Sequence, residues 1–289
     1  MQKSNIVLLV LGICLFGSAC KKEVTSLHNP PAQGSSDTTT IVTPAPPVVE
    51  TLPAIQTPVN YRVDANIGGY LEALPNGYAH SGNQKYPLLI FLHGLGQLGN
   101  GTTDLYKVAA GGVPALLANK KFPPDFVVNN QHYSFIVLSP QFKAWPQPND
   151  INDMLNYALS KYRIDTTRMY LSGLSMGGGG TWDYAIAYGQ RLAAIVPIAG
   201  ASYPTPQKGQ QIAKDSLAVW AFQNADDPTV PAFYSQDYVK YINQYHPKYT
   251  AQLTLWPTGG HDAWTKATNP NYRENGKNMY EWMLSYSKK

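Results

Sequence analysis

Three residue types in a fixed order carry the strongest chemical signal in this chain: a serine, an aspartate and a histidine. The serine is Ser175, at the apex of Gly173-Leu174-Ser175-Met176-Gly177. A serine hydroxyl is a poor nucleophile near neutral pH, so it needs an adjacent base. That base needs an acid to fix its tautomer and stabilise its charge. Gly-x-Ser-x-Gly is a weak motif alone and gains force from its context. An apolar run, Met169 to Leu171, precedes it and reads as a buried strand. Thr181 to Ala187 follows and reads as a helix. A nucleophile on a sharp strand-to-helix corner has a strained backbone and needs small neighbours on both sides. Gly173 and Gly177 supply them.

In this strand-corner-helix context the partners follow in the order serine, acid, histidine, each after a later strand. Asp226-Asp227 and then His261 occupy those places. His261 lies in Gly259-Gly260-His261-Asp262-Ala263-Trp264, where the glycines let the loop swing the imidazole towards Ser175. Asp227 is favoured over Asp226 as the acid because Pro228-Thr229-Val230-Pro231 makes a fixed turn after it. Asp226 is left to cap the loop or face water. Acyl chemistry also needs two backbone N–H groups aimed at the developing oxyanion. Met176, directly after the nucleophile, is the expected first donor. Leu95, in His93-Gly94-Leu95-Gly96, is the expected second. His93 reads as a structural residue holding that loop. Substrate contacts are expected from Trp145, in a Pro-rich polar loop, from Trp264, and from Gln141 at the end of a strand. Trp182, inside the helix after Ser175, reads as packing.

These residues require a frame that brings strand ends together. Pro87 to Leu92 is continuously apolar, as a central parallel strand should be. Further strands are expected at 69–75, 134–138, 193–198, 217–222 and 250–256. Helices are expected at 113–118, 150–162, 233–245 and 271–287, the last burying Tyr280, Trp282 and Met283. Strands alternating with helices imply a mostly parallel sheet with right-handed crossovers. The expected class is α/β, a three-layer sandwich with helices on both sides of the sheet.

The 289 residues are 44% hydrophobic and 14% charged, with a formal net charge of +4 and no basic run, which argues against a nucleic-acid partner. Both cysteines, Cys14 and Cys20, fall in the first twenty residues, so the folded part has no disulfide and no thiol nucleophile. Residues 1–20 have a lysine, an apolar run too short to span a bilayer, and a small-residue end. That is the form of a secretory leader. Gly17-Ser18-Ala19-Cys20 resembles a bacterial lipobox, with Gly17 where leucine is usual, and Cys20 is the expected lipidated residue; the alternatives are plain cleavage near the same place or an uncleaved anchor. Residues 21–57, rich in Thr, Pro, Ser and Val, read as an extended tether. The catalytic domain is expected over 58–289, about 230 residues, which suits one α/β domain. The expected location is an outer-membrane lipoprotein of a Gram-negative cell, touching membrane only through its anchor.

Four motifs together resemble the α/β-hydrolase fold: His93-Gly94-Leu95-Gly96, Gly173-Leu174-Ser175-Met176-Gly177-Gly178, Asp227-Pro228-Thr229-Val230-Pro231 and Gly260-His261-Asp262-Ala263-Trp264. More narrowly they are similar to esterases of carbohydrate esterase family 1, including feruloyl and acetylxylan esterases, and to related peptidases. The resemblance covers residues 66–286. It implies a serine esterase without metal or cofactor, a monomer acting on acyl or feruloyl esters of plant polysaccharide. The departure is Gln97-Leu98-Gly99-Asn100-Gly101, where relatives often carry charge. Alternatives are a peptidase, a lipid or thioester hydrolase, or a glycan-binding lipoprotein on a decayed hydrolase fold. The intact Ser175, Asp227 and His261 argue against decay.

Overall fold

The computed structural model describes residues 49–288. The leader, Cys20 and the tether up to residue 48 lie outside the described residues. Ten strands and seven α-helices follow one another: β1 (Ile55–Val59), β2 (Ile67–Leu74), β3 (Tyr86–Leu92), α1 (Gly112–Ala118), β4 (Phe126–Val128), β5 (Gln131–Tyr133), β6 (Ile136–Phe142), α2 (Pro148–Lys161), β7 (Ile164–Leu174), α3 (Met176–Tyr188), β8 (Ala194–Ile198), α4 (Pro206–Lys214), β9 (Ala218–Asn224), α5 (Phe233–Gln244), β10 (Gln252–Trp256), α6 (Trp264–Ala267) and α7 (Met279–Leu284).

Eight strands form one sheet in the order β1-β2-β6-β3-β7-β8-β9-β10, while β4 and β5 form a separate hairpin. The pairs from β6 to β10 are parallel; β1–β2 and β2–β6 are antiparallel. The inner strands are buried on both faces, and their alternate residues feed two cores. From β3, Leu88, Ile90 and Leu92 pack with Ile151 and Met154 of α2, Trp182 of α3, Ile212 of α4 and Tyr238 of α5. Leu89 and Phe91 pack on the other face with Val113 and Leu117 of α1, Phe126 of β4 and Tyr280 and Met283 of α7. This is the expected three-layer arrangement, because a strand with apolar side chains on both faces requires helices on both faces.

Residues 50 and 55–57, which composition assigns to the tether, make contacts with the domain. β1 pairs Ile55 to Val59 with Leu74 to Tyr70. The buried Glu50 carboxylate accepts the Gly77 N–H at 2.9 and 3.1 Å. Pro58 in β1 sits on an edge, where a missing donor costs little. The closing helix is shorter than the expected 271–287. Asn275 and Gly276 have φ of +52° and +80°, which no helix interior allows. The helix begins only after Asn278, which caps it by accepting from the Tyr280 and Glu281 N–H groups. Tyr280, Trp282 and Met283 are nonetheless buried.

Candidate active site

Ser175, Asp227 and His261 come from the carboxyl ends of β7, β9 and β10 and meet at one edge of the sheet. Ser175 has φ 53° and ψ −115°, a costly backbone for a residue with a side chain. Three backbone bonds hold it. Its N–H donates to Ile198 O at 2.9 Å, and its carbonyl accepts from Gly179 N–H at 2.9 Å and Ala201 N–H at 3.1 Å. The residues that follow explain why α3 tolerates a run of glycines, each costing about 1 kcal/mol of helix propensity. A Cβ on Gly177 would lie 2.2 Å from Leu92 O, one on Gly178 2.6 Å from Ile198 O, and one on Gly179 2.6 Å from Ala201 O. The helix thus lies backbone-to-backbone on the strand ends, which brings its N-terminus close to β3.

The side chains form a continuous relay. Ser175 Oγ lies 2.8 Å from His261 Nε2, and His261 Nδ1 lies 2.8 Å from Asp227 Oδ2. A carboxylate only accepts, so Nδ1 carries the proton and donates, leaving Nε2 to accept the Ser175 hydroxyl proton. The Asp227 carboxylate is fully satisfied. Its Oδ2 also accepts from Gln223 Nε2 at 2.8 Å, and its Oδ1 accepts from the Thr229 and Val230 N–H groups at 2.8 and 3.0 Å. Asp226 is exposed and accepts from the Gly260 and Gly259 N–H groups at 2.8 and 3.2 Å. It ties down the loop that carries His261. Gly259 and Gly260 have φ of +147° and +59°, so that loop turns as the glycines before the histidine require.

Met176 and Leu95 each open a helical segment, α3 and the 3₁₀ turn Leu95–Gln97. Their N–H groups have no intrahelical acceptor. Both segments start beside Ser175, where a hypothetical Gly94 Cβ would lie 3.7 Å from Ser175 Cβ. The loop is braced by two residues. His93 is buried, with Nδ1 2.8 Å from Gly94 O and Nε2 accepting the Phe142 N–H at 3.0 Å. Burial lowers its pKa to about 4, so it is a neutral strut. Gln97 accepts the Gly94 N–H at 2.8 Å and donates to Lys107 O and Val108 O, both at 3.1 Å.

A cavity of about 390 Å³ opens on Ser175 and is lined by residues that include Leu95, Gln97, Gly111, Leu174, His261 and Trp264. The arrangement can transfer an acyl group to Ser175 and release it to water. Such an assembly matches a known lineage. The phospholipase/carboxylesterase family model matches residues 79–270, well over half of the chain. The chain belongs to the phospholipase/carboxylesterase family. This phospholipase/carboxylesterase member is 22% identical over 176 residues to a bifunctional acetylxylan esterase/xylanase of Neocallimastix patriciarum, a match spanning 55% of the chain but only 24% of that relative. Among solved structures it is similar to a thermostable esterase, at TM-score 0.55 and 24% identity over 81% of this chain and 63% of the other. It is also similar to the feruloyl esterase module from Clostridium thermocellum complexed with sinapinate, at TM-score 0.51 and 15% identity over 76% and 85%. These likenesses establish the α/β-hydrolase fold.

Of the three expected substrate contacts, the structure brings one to the cavity of this family member. Trp264 lines it and meets the His261 ring edge-on, at 5.1 Å and 89°. Gln141 is a correction. It is fully buried, and its amide accepts the Gly101 N–H at 2.8 Å and donates to Gln97 O and Asp104 O at 3.0 and 2.8 Å. The strand runs on through Gln141 to Phe142, so the side chain fastens the glycine-rich loop and cannot reach substrate. Trp145 is exposed but does not line the cavity. Trp182 is buried and stacks on Tyr238 at 4.2 Å. Sequence reasoning missed Gln223 and the bracing role of Gln97. A glutamine at the end of an apolar strand, as in Ala221-Phe222-Gln223, is the signal that points to a buried partner such as Asp227. Among the described residues, no group of three or more His, Cys, Asp or Glu is arranged for a metal ion.

Proposed function

We propose that this chain is a serine carboxylesterase acting on acyl and feruloyl esters of plant cell-wall polysaccharide. The observation that carries the reading is the relay Ser175–His261–Asp227, with both links at 2.8 Å. Ser175 Oγ bonds to the ester carbonyl carbon while its proton passes to His261 Nε2. The oxyanion accepts from the N–H groups of Met176 and Leu95. The C–O bond to the alcohol then breaks, and the alcohol leaves with the proton from His261. Water attacks the acyl-enzyme, giving one proton to His261; the bond to Ser175 Oγ then breaks as His261 passes that proton to it, and the carboxylic acid departs. The cavity walls are mainly apolar, which suits an acyl group better than a charged one. The names of the relatives, acetylxylan esterase and feruloyl esterase, support the polysaccharide ester as substrate.

Hydrolysis of methyl ferulate and acetylated xylan by the purified protein, with aminoacyl anilides left intact, is the expected result. Cleavage of the anilides at a comparable rate would move the chain to the peptidases. The leader and Gly17-Ser18-Ala19-Cys20 add a location to the proposal. The mature chain starts at a lipidated Cys20 on the outer membrane, with the Thr- and Pro-rich segment after it as its tether. No helix among the described residues is long and apolar enough to cross a membrane. Acyl mass on the first peptide of membrane-extracted protein is the corresponding observable.

A further inference from the structure

Three glycines line the cavity, Gly94, Gly96 and Gly111, and the third borders its apolar residues. Gly111 lines the wall there, beside Leu174 and Trp264. Its φ of −159° is open to any residue, so backbone conformation does not require glycine at this position. Its neighbour Gly112 differs, with φ of +64° and a hypothetical Cβ 2.3 Å from Phe91. A Cβ built on Gly111 would lie 3.5 Å from Leu174 Cδ2, 3.5 Å from Trp264 Nε1 and 3.7 Å from Trp264 Cδ1. These are ordinary van der Waals separations. The point therefore has room for a carbon atom, with a methyl of Leu174 and the indole edge of Trp264 at contact distance.

The walls fix what can use that space. Leu174 is immediately before the nucleophile and belongs to the buried core, so it cannot swing aside. Trp264 opens α6, packs against the same core and is set perpendicular to the His261 ring. Space left by the missing side chain, bordered by Leu174 and Trp264, suits the edge of a flat ring. It excludes an acyl group branched at the same depth, because close-packed walls resist displacement.

Building on the serine esterase reading, the geometry points to Gly111 as the specificity-determining position. Its missing side chain opens a slot against Leu174 and Trp264 that takes the planar ring of an aryl-acyl group. Acetyl esters do not reach the slot and gain nothing from it. The slot gives the cavity a contact for a flat acyl group, although Trp145 and Gln141 stand outside it.

The test uses p-nitrophenyl ferulate and p-nitrophenyl acetate, which share a leaving group, so a change in their kcat/KM ratio reports the acyl side alone. Gly111→Ala fills the point with one methyl at ordinary contact distances, and Gly111→Val fills it further. The feruloyl-to-acetyl ratio should fall about tenfold in Gly111→Ala and further in Gly111→Val, mostly through KM for the feruloyl ester. A ratio within twofold of wild type in both variants overturns the inference, whatever happens to the absolute rates. If wild type cleaves the acetate but not the ferulate, the slot is refuted while the serine esterase reading stands. If wild type cleaves neither, both fall together. Should Gly111→Val fail to fold, the ratio in Gly111→Ala decides alone.

Discussion

Ser175 and Asp227 are the residues whose removal separates chemistry from fold. Ser175→Ala deletes one hydroxyl whose side-chain hydrogen bond is to His261, so the protein should fold with an unchanged melting temperature. Esterase turnover should drop at least about a thousandfold, roughly 4 kcal/mol of transition-state stabilisation. A purified Ser175→Ala retaining a tenth of the activity would remove Ser175 from the nucleophile role. The two adjacent aspartates give a sharper comparison. Asp227 holds His261 Nδ1, while Asp226 holds two backbone N–H groups of the loop before it. Asp227→Asn puts an amide in place of an acceptor-only carboxylate, which permits the wrong imidazole tautomer. It should slow turnover by about a hundredfold or more. Asp226→Asn keeps one acceptor oxygen for the loop and should stay within about threefold of wild type. Initial rates on p-nitrophenyl acetate rank the pair, and the reverse ranking would exchange their roles.

At the scale of elements, the closeness of α3 to the sheet governs the nucleophile's position. Gly177→Ala would place a methyl 2.2 Å from Leu92 O and 2.7 Å from His93 O, both backbone atoms of the strand and loop that present Leu95. The clash cannot be relieved by a side-chain rotation. The variant should lose at least about 2 kcal/mol in urea unfolding. Gly96→Ala, with nothing within 4 Å of its hypothetical Cβ, should stay within about 0.5 kcal/mol. Equal stability of the two would show that helix and strand can separate without cost. The same elements show what was legible before the structure. The inner strands could be read because burial on both faces makes Leu88 to Leu92 or Ala194 to Ile198 continuously apolar. The corner at Ser175 could be read because strain there demands glycine in the chain itself. β1 was hidden, since an edge strand such as Ile55-Gln56-Thr57-Pro58-Val59 needs no apolar run and shares the tether's composition. The amphipathic stretch after Asn271 looked helical throughout, although a turn at Asn275-Gly276 cuts it. Gln141 is misread, and the bracing role of Gln97 missed, for one reason. A polar residue beside a glycine-rich loop looks the same in sequence whether it faces substrate or fastens that loop, and only the positions of Gly101, Asp104 and Val108 decide.

For the molecule as a whole, the loop brace makes stability depend on pH in a window set by His93. In the folded protein its pKa is lowered to about 4 because the imidazole is buried, whereas an unfolded chain titrates near 6.5. Between those values the unfolded state binds the extra proton, so stability rises with pH and falls on acidification. The loss begins as pH drops below about 6.5 and is complete near the folded value, at about 3 kcal/mol. The structural cause is specific. Protonating Nε2 would turn the acceptor of the Phe142 N–H into a second donor facing it. The bond joins the loop of Gly94 and Leu95 to the last residue of β6, so the oxyanion loop loosens together with the fold. His93→Gln removes the titrating group. Urea midpoints for wild type should fall more steeply between pH 7 and pH 4.5 than those for His93→Gln, with the two curves converging at the acid end. Acid effects from carboxylates elsewhere act on both proteins and cancel in that difference. Parallel curves across the window would mean that His93 is protonated without penalty, and the neutral-strut account of the loop would have to be abandoned.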